Sequence, residues 1–381
     1  MQLNPVDPGS LFRGSFAPRS LDETVLACEA ALARNLGDAA SHASIGRALH
    51  LQRKFAEAEF HLRRALELEP MNPWFHAYLG ALLLLLGDFE PGWREFEWMW
   101  RIPAVEQEYA GLRRPRWDGS PLAGRVCLLY GSPSFGDTLQ WCRYAPELAV
   151  RGGRPLLVCQ PELRRLLRTL PGVELVGWDD PLPPFDVHAP LMSLPYLLDM
   201  PVPPAAVPYL FAPNKADVVR WQAALPPGFK VGVVWAADPT HPGPWRTMPL
   251  RELAPLGSVS GVTCVSLQRG PAEQELLAVP RELRPIDLGP QLTDFADTAA
   301  LLSQLDLVIS VDTAMAHLAG ALAGRAWVLL PALPDARWLL HRSSSPWYPT
   351  ARLFRQPQPG DWAPVVEQVV EELRKLIPAQ S

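Results

Sequence analysis

Cysteine is scarce and charge bias is absent. The 381 residues hold five cysteines (Cys28, Cys127, Cys142, Cys159 and Cys264), an odd number scattered along the chain with no Cys-x-x-Cys spacing. That excludes a disulfide framework and speaks against a structural zinc site, so the thiols read as reduced and mostly buried. Lys and Arg number 35 against 40 Asp and Glu, a net charge of −5. The chain therefore lacks the basic footprint of a nucleic-acid or anionic-membrane binder. Its longest apolar run, around Ala81–Leu86, falls far short of the roughly 18 residues that span a bilayer. The N-terminus has no apolar signal-peptide core. A cytoplasmic protein without a membrane span is expected.

Proline is plentiful instead. There are 43 prolines, about twice the roughly 5% share of average proteins, which predicts many rigid loops. With 48% hydrophobic and 20% charged residues the composition is that of a globular chain, and at about 150 residues per domain its length predicts two or three domains.

From Leu21 to about Arg101 the apolar pattern is helical, and it repeats at an offset of 34 residues. Ile45-Gly46 aligns with Leu79-Gly80, Leu49 with Leu83, Ala58 with Gly92, Leu62 with Phe96 and Ala65 with Met99. A 34-residue helix-turn-helix period with a small residue where two helices cross is the tetratricopeptide signature. Trp93, Phe96, Trp98 and Trp100 crowd the end of the second unit and are expected to pack against the domain that follows.

Beyond a connector the pattern becomes short apolar or β-branched runs alternating with helices. Strands are predicted at Arg125–Tyr130, Pro155–Cys159, Val173–Gly177, Lys230–Ala236, Val262–Leu267, Leu307–Ser310 and Ala326–Leu330, with helices at Thr138–Ala149, Pro161–Thr169, Thr298–Gln304 and Ala314–Ala323. Such alternation implies α/β architecture with parallel sheets covered on both faces. The proline-dense stretch 181–213 separates two sets of strands, so the expected organisation is a tail (1–20), helical repeats (21–104), a connector (105–124) and two Rossmann-like lobes (125–213 and 214–381).

Two strand-to-helix turns carry candidate chemistry, because ligands of α/β sheets bind at the carboxyl ends of strands. The first is Gly131-Ser-Pro-Ser-Phe-Gly136-Asp137-Thr138. Asp137 reads either as a helix N-cap or as a catalytic carboxylate. The second is Ser310-Val-Asp312-Thr313-Ala314-Met-Ala-His317, whose helix N-terminus suits an anionic phosphate. Asp312 and Thr313 also read as caps, and His317 as a packed histidine. His188 is an alternative base or acceptor contact, or a structural histidine at a strand edge.

Val308-Ile-Ser-Val-Asp312-Thr313-Ala314-x-x-His317-Leu-Ala, preceded by Asp297-Thr-Ala-Ala-Leu-Leu, resembles the donor-site motif of the lipopolysaccharide heptosyltransferase family. Gly136-Asp137 resembles that family's acceptor-side Gly-Asp. Gly87-Asp-Phe-x-x-Gly92-Trp93, Trp117-Asp-Gly-Ser-Pro-Leu122, Ser266-Leu-Gln268-Arg269-Gly270 and Ser345-Pro-Trp-Tyr-Pro349 extend the likeness to bacterial tetratricopeptide proteins fused to such a domain.

The resemblance implies a GT-B fold and an inverting glycosyltransferase of hexosyl or heptosyl type. A nucleotide-sugar donor would sit on the second lobe at Arg246, Gln268, Arg269, Asp312, Thr313, Ala314 and His317. The acceptor, a protein or a cell-surface glycan precursor recruited by the repeats, would sit beside Gly136, Asp137 and Thr138, with Asp137 or His188 as base. It implies no cofactor and no metal, and the chain has no Asp-x-Asp. It departs from the family where Ala314 replaces a glycine and where loop 237–247 keeps a single basic residue besides His241, Arg246. A scaffold with a degenerate transferase domain is the rival reading, a sugar-nucleotide epimerase or hydrolase is a third, and homo-oligomerisation is left open.

Overall fold

The computed structural model describes residues 21–203, 208–239 and 244–377. The expected tail (1–20), positions 204–207 of the proline-dense stretch and positions 240–243 of the loop before Arg246 lie outside the described residues.

Five helices come first: α1 (Leu21–Leu32), α2 (Ala39–Leu51), α3 (Phe55–Leu68), α4 (Pro73–Leu86) and α5 (Phe89–Phe96). Their ends follow local chemistry. Asp38 accepts from the Ser41 N–H at 3.2 Å, and Asn72 accepts from the Trp74 N–H at 3.1 Å, each satisfying a donor that the first turn leaves open. Pro73 occupies the first turn of α4, where no N–H is needed. Gly87 ends α4 in the left-handed region at φ 92°.

α2 packs on α3 and α4 on α5 through glycines. A Cβ on Gly46 would lie 2.7 Å from Leu62 Cγ, and one on Gly80 would lie 2.4 Å from the backbone N of Phe96. The two glycines are 34 residues apart in the sequence, and so are Leu62 and Phe96.

After α6 (Pro103–Tyr109) and the connector, two parallel sheets form. The first has β1 (Val126–Tyr130), β2 (Arg154–Cys159), β3 (Glu174–Gly177) and β4 (Val187–Pro190) in the order β3-β2-β1-β4. The second has β5 (Phe229–Val234), β6 (Val262–Ser266), β7 (Ile286–Asp287), β8 (Leu307–Val311), β9 (Ala326–Leu330) and β10 (Ala351–Arg355) in the order β10-β9-β8-β5-β6-β7. Every residue of β8 and β9 is buried, as expected of strands covered on both faces. Helices α7 (Phe135–Trp141), α8 (Lys215–Ala224), α9 (Phe295–Leu302), α10 (Ala314–Ala321) and α11 (Ala363–Leu376) cover them. Because all strands of a sheet are parallel, the loops after β1, β5, β8 and β9 leave from the carboxyl ends.

Local details differ from the sequence reading. The helix expected at Thr138–Ala149 starts at Phe135, stops at Trp141, passes through a 3-10 turn at Cys142–Tyr144 and resumes at Ala145–Val150. Pro146, which has no N–H to donate and crowds the carbonyl four residues back, accounts for the break. Strands β4, β7 and β10 were not anticipated.

Aromatic residues tie the units together. The Trp93 ring of α5 lies 5.4 Å from Trp141 of α7, and Trp141 lies 5.4 Å from Trp347 beyond β9. The Trp93 indole N–H donates to the Pro201 carbonyl at 3.0 Å. Trp93 and Phe96 are buried against this junction, while Trp98 instead stacks on His76, with centroids 3.9 Å apart. Among the described residues no helix is long and apolar enough to cross a membrane.

Candidate functional site

A cavity of about 230 Å³ opens where the helices and the two lobes meet. The first lobe contributes Ser134, Gly136 and Asp137, and the second contributes Arg246, Asp312, Thr313, His317 and Arg337. Residues of α2, α4 and α5, among them Arg47, Tyr78 and Trp93, close the remaining side with a largely apolar wall.

Asp137 stands on α7, the helix that follows β1. The helix cap is Ser134, and Asp137 is the third helical residue, which corrects the reading of Asp137 as the cap. Its carboxylate is buried and doubly held. Oδ2 accepts from Ser132 Oγ at 2.5 Å, and Oδ1 accepts from an Arg337 guanidinium N–H at 2.7 Å. Gly136 allows α7 to approach the other lobe, since a Cβ there would lie 2.9 Å from His317 Cδ2.

On the second lobe β8 ends at Val311, and α10 begins after Thr313, whose Oγ1 accepts from the Met315 N–H at 3.3 Å. Ser310 Oγ steadies that hydroxyl at 2.9 Å. Thr313 is therefore the cap, while Ala314 faces the cavity at the positive end of the helix. The Asp312 carboxylate lies 3.6 Å from Arg246, whose guanidinium also donates to the Asp312 carbonyl at 3.4 Å.

His317 is buried. Its Nε2 faces Arg337 at 3.4 Å and its Nδ1 bonds the Tyr348 hydroxyl at 2.8 Å. Since a guanidinium only donates, Nε2 accepts and Nδ1 carries the proton. Burial, then the Arg337 charge, hold the imidazole well below its ordinary pKa, so it is neutral. Burial likewise pushes the Tyr348 phenol up to about 12, keeping it protonated.

Arg337 is at the centre of these contacts, and the sequence reading did not single it out. Its Nε donates to Asp335 at 2.9 Å, while the other nitrogens reach His317 and Asp137. Burial weakens the cation, but Asp335, Asp137 and Asp312 more than offset this and raise its pKa well above the usual value. The available signal was positional: Asp335-Ala-Arg337 follows strand β9 at its carboxyl end, where α/β sheets collect ligand contacts.

Four expected site residues are not in the cavity wall. Gln268 is buried as a backbone clamp: its Oε1 accepts from the N–H groups of Trp235 and Ala236 at 3.2 and 3.0 Å, and its Nε2 donates to the carbonyls of Ala236 and Arg269. It shapes the loop after β5. Arg269 is exposed and donates to the Leu292 carbonyl at 2.6 Å. Thr138 Oγ1 is buried and donates to Gln160 Oε1 at 3.1 Å, locking the β1 turn to the end of β2. His188 bonds the Tyr130 hydroxyl at 3.0 Å, and burial followed by the nearby Arg116 lowers its pKa to about 4. Asp137, Arg246, Asp312, Thr313, Ala314 and His317 are thus brought together, with Gly136 between them, while His188 stands apart.

Several known proteins are similar to parts of this chain. The family model described as Glycosyltransferase family 9 (heptosyltransferase) matches residues 252–328, the segment that carries Asp312, Thr313 and His317. Protein FlbA of Caulobacter vibrioides is 28% identical over 331 residues, which cover 77% of this chain and 54% of that protein; the chain spans about half the length of this relative. Among solved structures, E. coli ADP-heptose lps heptosyltransferase II has a TM-score of 0.48 at 15% identity, covering 66% of this chain and 98% of that one. A family 9 glycosyl transferase from Veillonella parvula DSM 2008 has a TM-score of 0.47 at 11% identity, covering 69% and 93%. Residues 252–328 are therefore similar to family 9, heptosyltransferase-like glycosyltransferases.

Proposed function

We propose that the chain is an inverting, metal-independent glycosyltransferase of GT-B architecture that moves a sugar from a nucleotide-sugar donor to a protein or glycan acceptor. The observation that carries this reading is the shared cavity, in which the Asp137 carboxylate of one lobe faces Asp312, Thr313, His317 and two arginines of the other. In the first lobe an acceptor hydroxyl would lie beside Asp137. In the second the donor diphosphate would lie beside Arg246, Arg337 and the N-terminal end of α10.

The chemistry is a single displacement. The acceptor oxygen attacks the anomeric carbon while its proton passes to the Asp137 carboxylate, and the bond from that carbon to the diphosphate oxygen breaks with its electron pair leaving on the diphosphate. Attack opposite the leaving group inverts the centre. Guanidinium groups and helix N–H groups already in place stabilise the departing charge, which is the task a metal ion performs elsewhere. Neutral His317 offers no charge to the leaving group, but its ring sets the distance between α7 and α10.

The tetratricopeptide-like helices are read as acceptor recruiters, and the apolar wall from α2, α4 and α5 supports this, because a segment held on those helices reaches the cavity directly. The test is Asp137→Asn in a transfer assay with an identified donor and acceptor. Transfer should fall about 10²–10⁴-fold, the range for loss of a general acid or base, while the fold and donor binding persist. Retention of most of the activity would remove Asp137 from the chemistry.

A further inference from the structure

We infer that Arg337 couples donor binding to release of the base: in the structure its guanidinium holds Asp137, and the donor's pyrophosphate group takes the place of Asp137 on it. The inference rests on the glycosyltransferase reading and deepens it, by giving the donor site a gate.

Both Asp137 oxygens are engaged, one by Ser132 at 2.5 Å and one by Arg337 at 2.7 Å. A carboxylate tied in this way must give up a partner before an acceptor hydroxyl can approach it. Ser132 belongs to the same turn as Asp137, whereas Arg337 reaches it from the other lobe. Arg337 is also held independently of Asp137, through Nε to Asp335 at 2.9 Å and through another nitrogen to His317 at 3.4 Å. The guanidinium therefore stays at the cavity when Asp137 leaves, with one edge open to an anion. Phosphate oxygens match such a planar edge in two-point contact.

Charge around Arg337 favours an exchange over simple addition. Three carboxylates (Asp137, Asp312 and Asp335) gather about the second lobe's two guanidinium groups, Arg246 and Arg337, while the third arginine of the wall, Arg47, lies across the cavity over the Tyr78 ring. An anion that enters while Asp137 keeps its place meets that carboxylate close by; one that displaces it from Arg337 gains the cation and moves away from the repulsion. The segment carrying Arg337 is itself held under tension. Leu339, two residues on, is buried at φ 55° and ψ −170°, a backbone region that is essentially glycine's own. Trp338 between them is buried and stacks on His317, with centroids 5.3 Å apart. Strain of this kind persists only where the surroundings over-determine it, and it gathers at clamps and switches.

The consequence is an order of events. Donor enters first, its diphosphate takes Arg337, and Asp137 is freed for the acceptor only when there is a sugar to transfer.

Calorimetric titration of inorganic pyrophosphate into the full chain tests this. Asp137→Asn removes the competitor and should tighten pyrophosphate binding about tenfold or more, the factor that one charge-assisted bond corresponds to. Arg337→Ala should weaken it by a similar factor, Arg337→Lys should recover part of the loss, and Asp137→Asn in the Arg337→Ala background should give no tightening. The inference is overturned if Asp137→Asn binds pyrophosphate no better than the parent, or if the tightening persists without Arg337, since that would be general charge removal. The readout is anion affinity and not transfer. A chain that transfers sugar without Asp137-dependent tightening has lost the exchange alone, and one that tightens but transfers nothing has lost the enzyme reading alone.

Discussion

The sequence offers Arg246, with Arg269 as a second, for pairing a diphosphate, and their surroundings separate them. Arg246 lines the cavity beside Asp312, whereas Arg269 is spent on the Leu292 carbonyl at the surface. Arg246→Ala should therefore weaken nucleotide binding by about 1.5–3 kcal/mol, the value of a charge-assisted bond, and Arg269→Ala should leave it unchanged in the same calorimetric titration. Equal losses would put the donor nearer to β6 than the cavity is. His188 carries a prediction about stability instead. Its folded pKa is lowered to about 4 by burial and then by Arg116, against about 6.5 for the unfolded chain. Between these values the unfolded state takes up a proton that the folded state refuses, so stability falls as pH drops through this window. His188→Phe should make the fall in Tm between pH 7 and pH 4.5 shallower; an unchanged slope would show that His188 titrates freely. Asp312, Thr313 and His317 were readable at the residue scale because three polar residues follow an apolar strand within one turn. Arg337 was not, because apart from Asp335, two residues before it, its partners lie 20 and 200 positions away, and no local pattern records such contacts.

At the scale of elements, the 34-residue offset in the sequence has a concrete counterpart in two glycine crossings. Gly80→Ala would place a Cβ 2.4 Å from the Phe96 backbone N, and backbone cannot step aside as a side chain can. The substitution should cost about 1–3 kcal/mol or more, as overpacking does. Gly37, in the turn before α2, meets only Asn35 Oδ1 at 3.4 Å, so Gly37→Ala should change stability little. Denaturant midpoints for the two variants check this, and equal midpoints would mean that α4 and α5 do not cross at Gly80. Buried strands such as β8 and β9 were legible because every residue in them is apolar or small enough to bury. β10 was not, since Arg352 and Arg355 interrupt its apolar run at the sheet edge. β7 is two residues long, too short to leave a pattern. β4 was hidden by the prolines around it, with Pro190 at its end.

Over the whole molecule, three units share one cavity. Trp93, Trp141 and Trp347 come from the helices, the first lobe and the second lobe, and meet edge to face in one aromatic cluster beside it. The crowding of tryptophan near α5 was visible in the sequence, but what it packs against was not, because that depends on segments about 50 and 250 residues further on. Glycosyl transfer from a nucleotide donor bound at Arg246, Arg337 and the start of α10 is the claim on which the rest depends, and a thermal-shift panel of nucleoside diphosphates and sugar nucleotides on the full chain tests it most directly. A ligand that binds only the folded state stabilises it by about 2.7 kcal/mol at a hundred times its Kd, so at least one member of the panel should raise Tm by several degrees in the parent chain, and the rise should vanish in the Arg246→Ala, Arg337→Ala double variant. No shift from any nucleotide at millimolar concentration would contradict the donor site and leave the chain as a helical scaffold on an inactive transferase fold.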